Sequence, residues 1–172
     1  MLGLKHGVNL LADYDPEWPT AYEEERVRIQ AAVGNVLRGI EHYGSTAVPG
    51  LRAKPIIDIL LGVTPLENWI ACKQPLEMLG YDYADDAGVP DHYILGEVVI
   101  TLSELTWCTI VEFKGSPWRA TLAFRDALRA DERLRTEYLR VKEEAATAAP
   151  IGRAKYNESK QGFIERFVKR LM

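Results

Sequence analysis

Gly44, Ser45 and Thr46, the Val48-Pro49-Gly50-Leu51 loop, and then Lys54-Pro55-Ile56-Ile57-Asp58-Ile59-Leu60 carry the residue types in this chain best suited to chemistry. Glycine lets backbone approach a ligand closely and lets N–H groups point into a concavity. The hydroxyls of Ser45 and Thr46 can bind phosphate or a metal-bound oxygen. Asp58 interrupts an apolar run that reads as a strand beside the turn. Strand periodicity puts Ile56, Asp58 and Leu60 on one face and Ile57, Ile59 and Leu61 on the other. A carboxylate in so apolar a run must be paired, hydrogen-bonded or metal-bound, because an isolated buried one is costly.

A Gly-Ser turn followed by a strand carboxylate is the layout of nucleotidyl transfer. The hydroxyl and loop amides hold a triphosphate tail, and strand carboxylates hold Mg²⁺, which neutralises charge on the transferred group. Asp58 is therefore a candidate metal ligand or base, and Lys54 a candidate phosphate partner. The bland alternative pairs Asp58 with Lys54, His42 or an arginine for structural reasons. A two-carboxylate metal site needs a second acid at position 60, which is Leu60. Glu112 is the candidate further acid and Glu97 another, although both read equally well as exposed strand-face residues. His42, just before the turn, is a catalytic candidate or a structural hydrogen-bonder. His6 and His92 suggest no partner. No Ser-His-Asp, Walker or zinc pattern is present, and a nucleophile elbow is excluded because Gly44-Ser45 is contiguous.

The 172 residues fit one domain, 1–172, with a full core, and the hydrophobic share of 47% excludes a disordered chain. No apolar run has membrane-spanning length. Met1–Leu11 is too short and broken for a signal peptide, and Cys72 and Cys108 lack metal-type spacing, so a cytoplasmic protein with reduced cysteines is expected. The net charge of -4 hides an acidic stretch, 13–25, and a basic one, 114–142. These read as solvated helix faces, or else Arg125 and Arg129 point into an anion site. An acidic pI and bases without interleaved aromatics argue against a nucleic-acid surface.

These residues need positioning elements. Pro19–Leu37 reads as a helix with Tyr22, Ile29, Val33 and Val36 on one stripe. Ile40–Tyr43 and Pro55–Val63 read as strands. Thr64-Pro65-Leu66-Glu67 reads as a capping box opening a helix that carries Leu66, Ile70, Leu76 and Leu79, is kinked or split by Pro75 and ends at Gly80. Tyr81–Pro90 reads as an acidic loop. His92–Thr101 and Leu105–Phe113 read as a hairpin turning near Leu102-Ser103-Glu104. Helices follow from Ser116 to Arg129, from an Asp131 cap with Leu134, Tyr138, Val141 and Ala145 inward, and from Lys155 to Leu171. The expected class is α+β, a small mixed β-sheet flanked by helices, with the helices on one side.

His42-x-Gly44-Ser45-Thr46-x-Val48-Pro49-Gly50-Leu51-x-Ala53-Lys54-Pro55-x-Ile57-Asp58 resembles the signature of the GrpB family (UPF0157), of the nucleotidyltransferase superfamily. Asp13-Tyr14-Asp15-Pro16-x-Trp18-Pro19 resembles its N-terminal motif and Phe124-Arg125-Asp126-x-Leu128-Arg129 its helical motif. Tyr138 with Lys142, then Tyr156, Lys160 and Phe163-Ile164, resemble its C-terminal pattern. The resemblance implies a nucleotidyltransferase-like fold, found also as a domain fused to dephospho-CoA kinase in some bacteria, without a well-established reaction. Members commonly carry His-Leu-His-Val where this chain has Trp107-Cys108-Thr109-Ile110, whereas a single Asp in the Asp58 strand is common. The expectation is a protein that binds a nucleoside triphosphate or another phosphorylated small molecule, with Mg²⁺ as the metal. Gly44, Ser45, Thr46, Lys54, Arg125 and Arg129 would bind the ligand, Asp58 and Glu112 the metal, and Asp58 and His42 would act in any nucleotidyl transfer to a hydroxyl or amine. The alternative is a non-catalytic anion-binding or regulatory module that has lost metal-dependent transfer.

Overall fold

The computed structural model describes residues 2–83, 93–99 and 103–171. Helix α1, Trp18–Val33, opens with Pro19 in its first turn, where a missing N–H is harmless. It buries Trp18, Tyr22, Ile29 and Val33. Strand β2 is Leu37–Tyr43 and β3 is Ile57–Val63. After the chain-initial β1, Leu4–Lys5, these join β4, Tyr81–Tyr83, β5, Tyr93–Val99, and β6, Ser103–Glu112, in a six-stranded sheet of order β2-β3-β6-β5-β4, with β1 beside β6. Only the β3–β6 pairing is parallel among those described. The sheet is therefore mixed, as expected. Ser103 and Glu104, read as turn, belong instead to β6 opposite Val99 and Val98, and residues 100–102 lie outside the described residues.

Two faces of this sheet are covered, not one. Ile57, Ile59, Leu61, Val63, Cys108 and Ile110 pack against α1 and against Cys72 and Leu76 of α2, Trp69–Met78. Leu60 and Val111, on the other face, pack on Trp118 of α3, Ser116–Ala130. The strands are apolar on both faces because both are buried. Helices α4, Glu132–Ala148, and α5, Arg153–Leu171, extend the second layer. There Phe124, Leu128 and Tyr138 close over Val48 and Leu51 of the proline-glycine loop, with Phe163 and Phe167 alongside. The Asp131 carboxylate caps α4 by accepting from the N–H groups of Arg133 and Leu134 at 2.8 and 3.2 Å.

Three local expectations fail. Thr64 does not cap α2, because its hydroxyl donates to Glu112 Oε1 at 3.0 Å, and a 3₁₀ turn over Leu66–Asn68 intervenes before Trp69. Helix α2 runs through Pro75 without splitting, and Ile70 is exposed rather than inward. Tyr81–Tyr83 is a strand, not loop: Tyr81 is buried and its hydroxyl donates to Glu25 Oε1 at 2.7 Å. Residues 84–92 lie outside the described residues. Cys72 and Cys108 are both buried free thiols.

Candidate functional site

The second face of the sheet carries Asp58 between Tyr43 of β2 and Trp107 of β6, its neighbours in register. Tyr43 and Thr109 hydroxyls bond to each other at 2.8 Å one step along. Gly44 follows Tyr43 with φ of +71°, which sends the chain over Asp58. A Cβ on Gly44 would collide with Asp58 Oδ2 and lie 3.0 Å from its Cβ and Cγ, so only glycine admits the carboxylate here. Ser45 then enters a 3₁₀ turn, Ser45–Ala47, and lines the same cavity as Tyr138. That cavity has a volume of about 350 Å³. It is lined by Gly44, Ser45, Asp58, Asn157 and Lys160 and by the apolar side chains of Phe124, Leu128, Ile164 and Val168.

Four basic groups act on the half-buried Asp58: Lys160, Lys54, Arg153 and Lys142, in decreasing order. They favour its ionised form, but burial outweighs them and pushes its carboxyl up to about 6. The same burial pulls Lys160 down to about 8 and Lys142, which is almost fully enclosed, well below the ordinary lysine range. Aromatic rings hold these cations in place. Lys54 and Lys160 lie 4.8 and 4.5 Å from the centroid of the same Tyr156 ring, Lys142 lies 5.6 Å from that of Tyr138, and the Arg153 guanidinium lies 4.1 Å from that of Trp107. Lys142 also donates to the Arg52 carbonyl and Lys54 to Asn9 Oδ1 at 3.3 Å. The buried Trp107 Nε1 meets no acceptor among the described residues.

The structure brings Gly44, Ser45, Asp58 and Lys54 together, with Arg125 at the edge of the cavity. Other candidates it sets apart. Because Tyr43 shares Asp58's face, His42 points to the opposite one, where it stacks on Tyr22 at 4.7 Å. Thr46 gives its single proton to the Ile56 carbonyl at 3.2 Å, so the contact at 3.0 Å must have His42 Nε2–H donating to Thr46 Oγ1. Burial and the nearby Arg129 and Arg125 pull His42 down to about 4, so it is neutral and braces the turn rather than moving protons to a ligand. Thr46 is buried with it and offers its hydroxyl to backbone, not to the cavity.

Arg125 reaches from α3 to Glu41 Oε2 and the His42 carbonyl at 2.8 and 2.9 Å, and Arg129 donates to the Ala47 carbonyl at 2.9 Å. Both pin α3 to the turn, and only Arg125 also lines the Asp58 cavity. Glu112 pairs with Val63, at the far end of β3 from Asp58, and accepts from Thr64. Five residues of strand separate the two acids, roughly 16 Å, so they cannot share an ion. The Glu97 side chain and His92 lie outside the described residues.

These donors do not fit Mg²⁺, which requires near-octahedral oxygen ligands. Asp58 is the single acid lining the cavity among the described residues, Leu60 is buried two residues on, and basic groups crowd the carboxylate. No group of three or more His, Cys, Asp or Glu among the described residues is arranged to hold a metal ion.

Reasoning from the sequence did not single out Tyr138, Lys142, Arg153, Tyr156 or Lys160 as site residues. A signal existed. Tyr138–Lys142 and Tyr156–Lys160 each place a lysine one helical turn after a tyrosine, the spacing at which the ammonium can lie over the ring.

The family model described as GrpB protein matches residues 9–170. The chain is 26% identical to the glutamate-rich protein GrpB of Alkalihalophilus pseudofirmus, over 99% of this chain and 100% of that one. It is 33% identical to a UPF0157 protein of Halalkalibacterium halodurans, over 93% and 80%. It is also similar to a dephospho-CoA kinase of Mycolicibacterium paratuberculosis, 30% identical over 78% of this chain but 39% of the kinase. The crystal structure of the conserved protein GrpB from Enterococcus faecalis superposes with a TM-score of 0.82 at 31% identity, covering 94% of this chain and 96% of that one. The Cid1 poly(U) polymerase bound to MgGTP superposes with a TM-score of 0.52 at 15% identity, covering 80% and 44%, a likeness of fold alone. With its Gly-Ser turn, its strand aspartate and a family match running nearly end to end, the chain belongs to the GrpB family and has a nucleotidyltransferase-like fold.

Proposed function

We propose that this protein binds a nucleotide or another phosphorylated small molecule in the cavity beside Asp58. The observation that carries this reading is the gathering of Lys160, Lys54, Arg153 and Lys142 around one carboxylate at the mouth of the Gly44-Ser45 turn. Several basic groups gathered in a partly buried place favour an anion beside them. Ser45, Asn157, Lys160 and Arg125 line the cavity and supply donors to phosphate oxygens, and the apolar side chains of Phe124 and Ile164 suit a flat or aliphatic body attached to the phosphate. Enclosure within about 350 Å³ favours a small molecule over a nucleic-acid strand. One structure of similar fold is a nucleotide-binding polymerase solved with MgGTP, which is compatible with this reading through the fold alone. No helix among the described residues is long and apolar enough to cross a membrane, and we place the protein in the cytoplasm, where its buried thiols stay reduced.

Thermal-shift and calorimetric titration with UTP, GTP, ATP and dephospho-CoA tests the reading. Binding of at least one, weakened by Lys160→Met, is expected. No binding by any of them, in a folded sample, would reject it.

Transfer of a nucleotidyl group to a hydroxyl or amine is the second reading, and the carboxyl of Asp58 raised to about 6 favours it. A carboxylate poised near neutrality accepts a proton from an attacking hydroxyl more readily than an ordinary aspartate does. Release of pyrophosphate from a bound triphosphate, abolished by Asp58→Asn, is the expected sign. Binding without pyrophosphate release leaves the protein a binding module.

A further inference from the structure

A bound phosphate needs counter-charge. On a nucleotidyltransferase-like fold that charge can come from a divalent cation carried on strand carboxylates. Here the strand positions around Asp58 hold Tyr43, Trp107 and Leu60 instead of acids. Basic side chains surround the remaining carboxylate. We propose that the pocket takes its phosphorylated ligand as the free polyanion, with the Lys160 ammonium at the cavity wall, backed by Lys54 and Arg153, standing where a divalent cation would otherwise neutralise it. This rests on the phosphate-binding reading above.

The geometry is specific to this arrangement. Lys160 lines the cavity, and α5 presents it there one turn after Tyr156. The Tyr156 ring holds Lys160 and Lys54 at once, from α5 and from the loop before β3. Two ammonium groups on one ring repel each other, and each disfavours the charged form of the other. Asp58 offsets part of that repulsion. A phosphate oxygen beside Ser45 in the cavity would offset the rest. An ammonium is a compact, strongly hydrated point charge with three donors, and so the side chain nearest to a small cation in character. Mg²⁺ would compete for the same phosphate oxygens and lower the ligand's charge, so it should weaken this site rather than build it.

The experiment is calorimetric titration of the full chain with inorganic tripolyphosphate and with UTP, each in EDTA and in excess Mg²⁺. Both probes are expected to bind in EDTA at least as tightly as in Mg²⁺, with Mg²⁺ weakening the interaction by up to roughly tenfold as it neutralises ligand charge. Lys160→Met should weaken binding in EDTA about tenfold or more, and Lys160→Arg should restore part of it. Asp58→Asn should retain binding in EDTA, since it removes a negative charge from an anion site. Circular dichroism checks that each variant folds, and the EDTA–Mg²⁺ comparison on the unaltered chain decides the matter if one does not. Binding that requires Mg²⁺ and disappears in Asp58→Asn overturns this inference while leaving the phosphate-binding reading intact. Binding in EDTA that Lys160→Met leaves unchanged overturns it too. No binding of either probe under either condition overturns both.

Discussion

A side chain on Gly44 would have to occupy the space of the Asp58 carboxylate, in a backbone conformation that L residues rarely adopt. Gly44→Ala should therefore destabilise the fold by about 1–3 kcal/mol, the range for a strained φ together with a displaced partner. Urea unfolding followed by circular dichroism measures this, and an unchanged midpoint would show that the turn does not depend on that contact. Lys160 is the second residue with a sharp consequence. Its folded value of about 8 lies below the ordinary 10.5, so between those limits the unfolded chain holds the extra proton. Stability then rises with pH across that window and is lost as pH falls through about 8. The groups facing Lys160 are Lys54, Asp58, Arg153, Lys142 and the Tyr156 ring. Comparing the unaltered chain with Lys160→Met by urea unfolding at pH 7 and pH 9.5 isolates the effect. The difference should shift in favour of the unaltered chain by on the order of 1–2 kcal/mol, and a flat difference would contradict it. That Gly44, Ser45 and Asp58 come together was legible in the sequence, because their types and spacing are themselves the signal. That His42 and Thr46 turn away from the cavity was not legible, since spacing along the chain does not reveal that one step of strand turns a side chain to the opposite face.

Gly39 and Gly62 face each other across β2 and β3, and together they form a slot for aromatic rings. A Cβ on Gly62 would lie 2.7 Å from Phe113 Cδ2 and 2.8 Å from Trp118 Cζ3, and one on Gly39 would meet the same two rings. The slot sets how closely α3 sits against the sheet, and α3 carries Phe124 and Arg125 to the cavity. Gly62→Ala should overpack this contact and cost about 1–3 kcal/mol, seen as a lower melting temperature. If the melting temperature stays the same, the rings have room to move and the slot does not fix α3. Elements with a long apolar period were read correctly: α1, β3, the β5–β6 pair and the C-terminal helices. Strands β1 and β4, of two and three residues, are too short to show a period and exist through their pairing with β6 and β5. The second helical layer was missed for a related reason. An apolar run in β3 implies burial on both faces, but nothing local in α3–α5 says which face they cover.

The two layers of the molecule do different work. The face under α1 and α2 is a continuous apolar core, whereas the face under α3–α5 encloses the basic pocket. The cations come from separate elements: Lys54 from the loop, Lys142 from α4, and Arg153 and Lys160 from α5. An anion bound among them would join those elements through one shared charge, while the α1–α2 layer, packed on the opposite face, would gain nothing directly. A ligand that binds the native state alone raises its stability, and the rise is largest where local opening breaks contacts to the ligand. Saturating tripolyphosphate should therefore slow amide hydrogen exchange in α5 and in Ser45–Ala47 far more than in α1 and α2, with protection in α5 increased at least several-fold at ligand concentrations well above Kd. Exchange measured by mass spectrometry with and without the polyanion reads this directly. Equal slowing in both layers would mean that the ligand acts only through global unfolding. Slowing confined to α1 and α2 would place the anion on the wrong face of the sheet and remove the Asp58 pocket as its site.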